Sequence, residues 1–391
     1  MAAPGSGEGA RGFVRDRLTW VVYVLVGYFS YLETSLGPLM PFLRSELGFD
    51  YTVASLHFSA FALGGVLTGV LGERVSARWG RRVSLWGGGA GMAAGAVLLA
   101  ASPVTTGTIA GAFFMGTAGS LLLITTQSVL SDRHERNGAV AITESNAAAS
   151  ACAIAASLAV GTSAAAGLGW RAALLPPILV FLLLSPSVRL RMPREGPSPR
   201  RGAGGQPAGK LPSRFWAYWG VLSLGVAIEW CVTYWGAAFL KAGAGLSSAE
   251  AAGALSVFPA AMLAGRLLGS IAARRVPVTT LLTATLTVAL VGFPVFWLSG
   301  GEVPTLAGLA ATGLGIGSVY PLSVSAGVDS SSRQSDRATA RLSLGASGAI
   351  LLAPFALGAL ADRTSIEAAY GIVLPMLVFA VALTLVARRL G

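Results

Sequence analysis

The chain has 391 residues, 54% of them hydrophobic and only 12% charged, with a formal net charge of +11. Soluble domains are about 25% charged, so half that share excludes a water-soluble globule of this length. The apolar residues fall in blocks of about twenty, enough at about 1.5 Å per residue to cross a hydrocarbon core about 30 Å thick.

Reading apolar runs between charged or Gly/Pro-rich breaks predicts twelve helical spans. The first, 18–40, is too long for a secretory signal, and no small-residue cleavage site follows it, so it is expected to stay in the membrane. It carries an acid, Glu33, with Tyr28 and Tyr31 about one turn away, and ends in Pro38, Pro41, Phe42 and Arg44. Span 2, 52–73, holds a lone histidine, His57, read as a packing residue rather than a proton relay. It runs into the basic segment GERVSARWGRR, 72–82, before span 3, 83–101. Span 4, 104–129, contains Gln127. Span 5, 139–163, contains Glu144, Asn146 and the small-residue run AAASACAIAASLAVG, which lets helix backbones approach closely in lipid. Span 6, 171–188, follows Gly169-Trp170-Arg171. A basic stretch rich in proline and glycine, 189–213, cannot pack stably and reads as a solvated linker facing anionic lipid.

Spans 7–12 follow at 214–240, 249–272, 278–299, 303–326, 339–360 and 367–387. Span 7 has its own acid, Glu229, among Trp230, Tyr234 and Trp235. Trp216 and Trp219 at its start are expected to be interfacial anchors. The two cysteines, Cys152 and Cys231, lie inside separate spans and read as small core residues. Arg266, near the inner end of span 8, is expected to snorkel or to serve in a latch. With a cytoplasmic amino terminus, all but four of the 28 basic residues fall on the cytoplasmic side, the exceptions being Arg44, Arg171, Lys241 and Arg363. The positive-inside rule therefore predicts a multi-pass protein of the cell membrane with both termini in the cytoplasm.

The halves echo each other. Glu33 and Glu229 occupy the first span of each six. GERVSARWGRR after span 2 is matched by GRLLGSIAARRVP after span 8, and SDRHERNGAVA after span 4 by SSRQSDRATARLS after span 10. The expected fold is an all-α polytopic membrane protein of two pseudo-symmetric six-helix bundles, 1–188 and 214–391. Rocking one repeat against the other exposes a midplane site alternately.

The sequence resembles the major facilitator superfamily over essentially its whole length. The resemblance rests on the basic loop ending in Arg78, Gly80, Arg81 and Arg82, on Gly169-Trp170-Arg171, and on GLGIGSVYPLS at 313–323. It implies a conformational latch made of Glu73, Arg74, Arg78, Gly80, Arg81 and Arg82. Where the family has an aspartate before the first arginine of this loop, the chain has Ala77. The arginine that the family often has within span 4 is replaced by Ala112, which weakens a reading as a proton-coupled drug exporter. Span 7 with GRLLG after it is also similar to the fucose–proton symporter branch.

An acid at mid-bilayer is costly unless it meets a partner or a water-filled cavity. The superfamily lines its central cavity with spans 1, 4, 7 and 10, so Glu33 and Glu229 are the sharpest candidates for proton coupling or substrate binding, with Glu144 a third. Tyr28, Tyr31, Gln127, Asn146, Trp230, Tyr234, Trp235 and Tyr320 are the expected cavity lining, the aromatic rings offering faces to a sugar or a cation. The chain shows no Walker loop, metal-ligand cluster or nucleophile–base arrangement, so neither an enzyme nor a cofactor is expected. The expected partners are a small-molecule substrate, protons and the lipid bilayer, with no nucleic acid, and the chain is expected to be a monomer. Uptake or metabolite exchange is favoured over proton-driven export. A membrane sensor without turnover is the alternative of another class.

Overall fold

A computed structural model describes residues 13–134, 137–193, 210–331 and 334–390. Most of the expected linker, 194–209, lies outside the described residues, as do Glu135, Arg136, Ser332 and Arg333 of the two echoed loops. Among the described residues every regular element is helical.

The first half comprises α1 (Arg17–Leu47), α2 (Tyr51–Ala101), α3 (Thr105–His134), α4 (Gly138–Ala165) and α5 (Leu175–Leu183), the last flanked by turns of 3-10 helix. Local chemistry sets the helix starts. Asp16 and Asp50 accept hydrogen bonds from the backbone N–H of Thr19 and Val53, capping α1 and α2. Gly48, at φ 67°, closes α1 in the left-handed conformation. At 51 residues α2 is far too long for one crossing. It breaks at Gly80 (φ 79°, ψ 158°), a region open only to glycine. Its two arms are spans 2 and 3, and both pack on α3. Phe61 of the first arm lies against Gly116, and Gly88 of the second against Ala118 and Leu122.

The second half comprises α6 (Ser213–Gly243), α7 (Ser248–Ala254), α8 (Val257–Ala272), α9 (Val278–Leu298), α10 (Glu302–Ile316), α11 (Val319–Asp329), α12 (Ser335–Arg363), α13 (Ile366–Tyr370) and α14 (Val373–Arg389). Three spans are broken helices, formed by α7 with α8, α10 with α11 and α13 with α14. Among the described residues ten stretches are long and apolar enough to cross a membrane. Those ten count α2 once and omit α1, whose apolar residues are diluted by Tyr, Ser, Thr and Gly. Twelve crossings fit the chain.

The start of α6 and the end of α14 lie together at one end of the bundle, called here the near end, because Leu383 packs beside Gly220, and Phe13 and Leu18, just before and at the start of α1, cluster with Leu190 and Met192 at the end of the first half. The halves are joined at the opposite, far end. A Cβ at Gly37 of α1 would fall on the carbonyl oxygen of Thr233 of α6, and one at Gly161 of α4 would meet the backbone of Gly253 in α7. Phe58 of α2 stacks on Tyr234 of α6 at 4.1 Å and meets Trp235 edge-on at 5.2 Å. Asp362, near the end of α12, accepts hydrogen bonds from the backbone N–H of Tyr51 (2.8 Å) and Thr52 (2.6 Å) and from the Thr52 hydroxyl. One half thus caps a helix N-terminus of the other, where unpaired N–H groups and the helix dipole favour an anion.

Candidate transport site

Glu33 and Glu229 each lie four residues before the crossing of Gly37 with Thr233, so both face the bundle interior one turn on the near-end side of that crossing. They stand within electrostatic reach of each other. Among the described residues Glu33 makes no hydrogen bond or ion pair. Glu229 pairs with Arg266 of α8 at 3.3 Å. The same guanidinium donates through Nε to the Gly317 carbonyl (3.2 Å) and through Nη1 to the Ser150 hydroxyl (3.4 Å). Gly317 lies where span 10 breaks between α10 and α11, which presents its carbonyl to the guanidinium. Ser150 belongs to α4, in the other half. Arg266 therefore bridges the halves beside Glu229, rather than snorkelling to the membrane surface. Its side chain is 40% exposed.

Aromatic residues cover the acids toward the far end. Tyr234 and Trp235 are fully buried. Trp235 donates its indole N–H to the Pro354 carbonyl at 2.8 Å, whereas the Tyr234 hydroxyl has no hydrogen-bond partner among the described residues. Trp230 is part-exposed and tilts against Tyr234 at 4.9 Å. Tyr320 of α11 is 44% exposed and lies within reach of the Glu229 charge.

Other expected site residues lie elsewhere. At about 100° per residue, Tyr31 and Tyr28 point roughly 160° and 140° away from Glu33. Both are buried, with their hydroxyls donated to the carbonyls of Ala173 and Gly89, so they hold the first half together. Glu144 sits at the near end, where Arg15 grips it through two nitrogens and Tyr23 donates at 3.0 Å. Asn146 is exposed one turn from Ser150, and Gln127 is exposed on α3; neither bonds to Glu33 or Glu229. His57 is fully buried and bonded at both ring nitrogens, to Thr108 and to its own helix. Cys152 and Cys231 are free thiols, the first against Gly27 of α1 and the second buried.

In the basic loop, Arg81 pairs with Asp132 of α3 at 2.6 Å and Arg82 donates to the Leu190 carbonyl at 3.2 Å. Glu73, Arg74 and Arg78 are exposed. Nearby, Arg133 and Thr19 both donate to Asp16. Burial pushes the Asp16 carboxyl up, but the hydrogen bonds from Thr19 and Arg133 outweigh it and hold the group below the usual aspartate range. At the far end Gly169-Trp170-Arg171 acts as a clasp. Trp170 and Arg171 both donate to Glu46 of α1, and Arg171 also donates to the Ala100 carbonyl at the end of α2.

The sequence profile described as Major Facilitator Superfamily matches residues 19–333. The chain belongs to this superfamily. Sequence comparison with curated proteins returns no match. Among solved structures, a bacterial homologue of the human lysosomal transporter Spinster, inward-facing and occupied, is similar at 17% identity and a TM-score of 0.71, with 97% of this chain and 98% of that one covered. The nucleoside transporter NupG is similar at 14% identity and a TM-score of 0.75, with 96% and 100% covered. A peptide transporter, POT, in complex with sulfate gives 14% and 0.73, with 98% and 96% covered. At such identities the likeness is one of fold. In this Major Facilitator Superfamily chain the two acids therefore sit where the halves meet, in a fold shared with known transporters.

The sequence marked Glu33 and Glu229 as acids in apolar spans and Arg266 as a snorkelling or latch residue, but it left Ser150, Asp362 and the partners of Arg266 unseen. Ser150 looked like one small residue among many. Arg266 looked peripheral until its three partners came together. Asp362 lies near a span end, where an acid is unremarkable, and only its capping of α2 from the other half reveals a role.

Proposed function

We propose that the chain is a proton-coupled secondary transporter of a small polar or amphipathic solute, working by alternating access, with Glu33, Glu229 and Arg266 as its coupling and binding centre. The observation that carries this reading is the asymmetry of the two acids. Glu229 has a cationic partner, while Glu33 has neither an ion pair nor a hydrogen bond among the described residues. An acid so placed in a membrane bundle needs a proton or a cation. Protonating Glu33 leaves one carboxylate and one guanidinium, a neutral centre able to reorient across a low-dielectric core.

The unpartnered Tyr234 hydroxyl and the part-exposed Trp230 and Tyr320 give that centre one polar handle and aromatic faces for a solute. The near end is cytoplasmic in this reading, the protein lies in the cell membrane, and the coupling favours uptake or exchange. Ala112 in place of the span-4 arginine supports that direction. The apolar, aromatic cover of the acids favours proton-driven export as the second reading. The two predict opposite changes in cellular accumulation of a labelled substrate.

The test is flux in proteoliposomes, screened over labelled polar and amphipathic solutes with and without an imposed pH gradient. A solute accumulated by the wild type in response to the gradient should lose that response in Glu33→Gln while still exchanging across the membrane. Gradient-driven accumulation that survives in both Glu33→Gln and Glu229→Gln would remove this assignment.

A further inference from the structure

We propose that Tyr234 donates its hydroxyl to the ionised Glu33 carboxylate, a hydrogen bond across the halves through which the charge of one acid governs far-end closure. This link rests on the reading of Glu33 as the proton-coupling acid, and it names the group that transmits the charge. The Tyr234 side chain is fully buried, yet its hydroxyl has no hydrogen-bond partner among the described residues. A buried donor left unpaired loses its hydration without replacement. The Glu33 charge lies within electrostatic reach of that hydroxyl, and the carboxylate is equally without a hydrogen bond or ion pair among the described residues. The two belong to opposite halves, Glu33 to α1 and Tyr234 to α6, and they flank one crossing. Glu33 lies one turn before Gly37, and a Cβ at Gly37 would come within 3.1 Å of the Tyr234 Cα.

The phenol is held by its ring. It stacks on Phe58 of α2 with centroids 4.1 Å apart and planes 2° from parallel, and Trp230 of its own helix lies 4.9 Å away. Glu33 is part-exposed on a flexible side chain, so the carboxylate is the partner that moves. A hydrogen bond to an ionised acceptor is about twice as strong as one to a neutral group. Ionised Glu33 therefore ties α1 to α6 beside the Gly37–Thr233 crossing, and protonation slackens the tie. Protonation also releases the hydroxyl to a solute, which links solute capture to proton capture. The other titratable groups on the neighbouring helices are engaged or stand apart. Glu229 of α6 is within reach of Glu33 but pairs with Arg266 of α8. Tyr320 of α11 lies near Glu229. Cys152 of α4 lies against Gly27, almost two turns from Glu33, and His57 of α2 is bonded at both ring nitrogens.

The experiment uses the full chain in lipid nanodiscs, with Cys152→Ala and Cys231→Ala as the parent. Nitroxide labels are placed at Leu168→Cys and Val303→Cys, one far-end position in each half, 72% and 77% exposed. Pulsed electron paramagnetic resonance gives the distance between them from about pH 5 to about pH 9, a range across which a perturbed carboxyl titrates. The far-end-open population of the parent is expected to rise roughly tenfold on acidification, the ratio that exchanging a charged for a neutral hydrogen-bond acceptor supports. Glu33→Gln and Tyr234→Phe should each show the acid population at every pH, and the double variant should add nothing further. Tyr234→Phe keeps the ring on Phe58, so it should melt as the parent does at the acid end of the range. If Tyr234→Phe still closes at high pH while Glu33→Gln does not respond, the link is overturned and Glu33 remains the coupling acid. A parent that shows no response, or a response that survives in Glu33→Gln, overturns the link together with that reading of Glu33.

Discussion

Arg266 pairs with one carboxylate, Glu229, and has three hydrogen-bond partners, all at 3.2 Å or more. Long bonds of this kind hold a guanidinium in place without locking it. Breaking one member of a fully buried ion pair costs about 3–5 kcal/mol, and Arg266 is exposed enough that its cost should be smaller. Arg266→Gln is therefore expected to lower the melting temperature by leaving Glu229 without its cation. The Arg266→Gln/Glu229→Gln double variant should recover part of the loss, and a double-mutant cycle in thermal melting measures the coupling. Asp16 gives a second residue-scale test. Its carboxyl titrates lower in the folded chain than the ordinary 3.8, so it adds stability above that value and loses it as pH falls through the folded value. Asp16→Asn should melt below the wild type at pH 7, and the gap should close progressively on acidification below about pH 4.

At the scale of elements, far-end closure rests on backbones meeting where glycine lacks a side chain. Gly161 lies against Gly253, and Gly37 against Thr233. Gly161→Leu places four carbons into that contact, so α4 and α7 should separate and the far end should open. The Asp362 cap on α2 acts in the same place by a different force, two backbone N–H groups and a hydroxyl meeting one carboxylate. Asp362→Ala is expected to weaken closure by about 1 kcal/mol, the usual value of a helix cap, enough to shift a balanced two-state equilibrium several-fold. Labelling of a cysteine placed at Ser59, beside the α2–α12 contact, should speed up in both variants. An unchanged labelling rate would show that these contacts do not govern closure. The superfamily resemblance placed the latch in the loop around Gly80, where Ala77 replaces the usual aspartate. An aspartate capping a helix across the halves is present instead at the other end of the bundle.

At the scale of the molecule, halves joined at the far end leave the acids approachable from the near end. A thiol reagent that cannot cross membranes should reach Asn146→Cys from the near-end side in the resting protein. Phe58→Cys, packed against Tyr234 and Trp235, should resist it from either side. Protection at Asn146, with rapid labelling at Phe58, would mean that the populated state is closed at the near end.

Some of this was legible from composition and order alone. Blocks of about twenty apolar residues had to be helices, because in lipid each backbone polar group must be satisfied within its own segment. Three acids in otherwise apolar spans called for a partner or a cavity, because burying a charge in lipid is costly wherever it occurs in the chain; Glu144 has Arg15 at the near end, while Glu33 and Glu229 lie where the halves meet. The break between spans 2 and 3 was legible as the basic segment GERVSARWGRR, 72–82, and the structure places it at Gly80. The faces and partners of side chains were not legible. Tyr28 and Tyr31 are sequence neighbours of Glu33 yet point away from it, because a fraction of a helical turn decides which neighbour a residue meets. Ser150 and Arg266, and Tyr51 and Asp362, are brought together across 116 and 311 residues of chain. Those meetings depend on how rigid helices cross, and only the tertiary structure sets the crossings, because small residues permit many close approaches and the assembled bundle selects one.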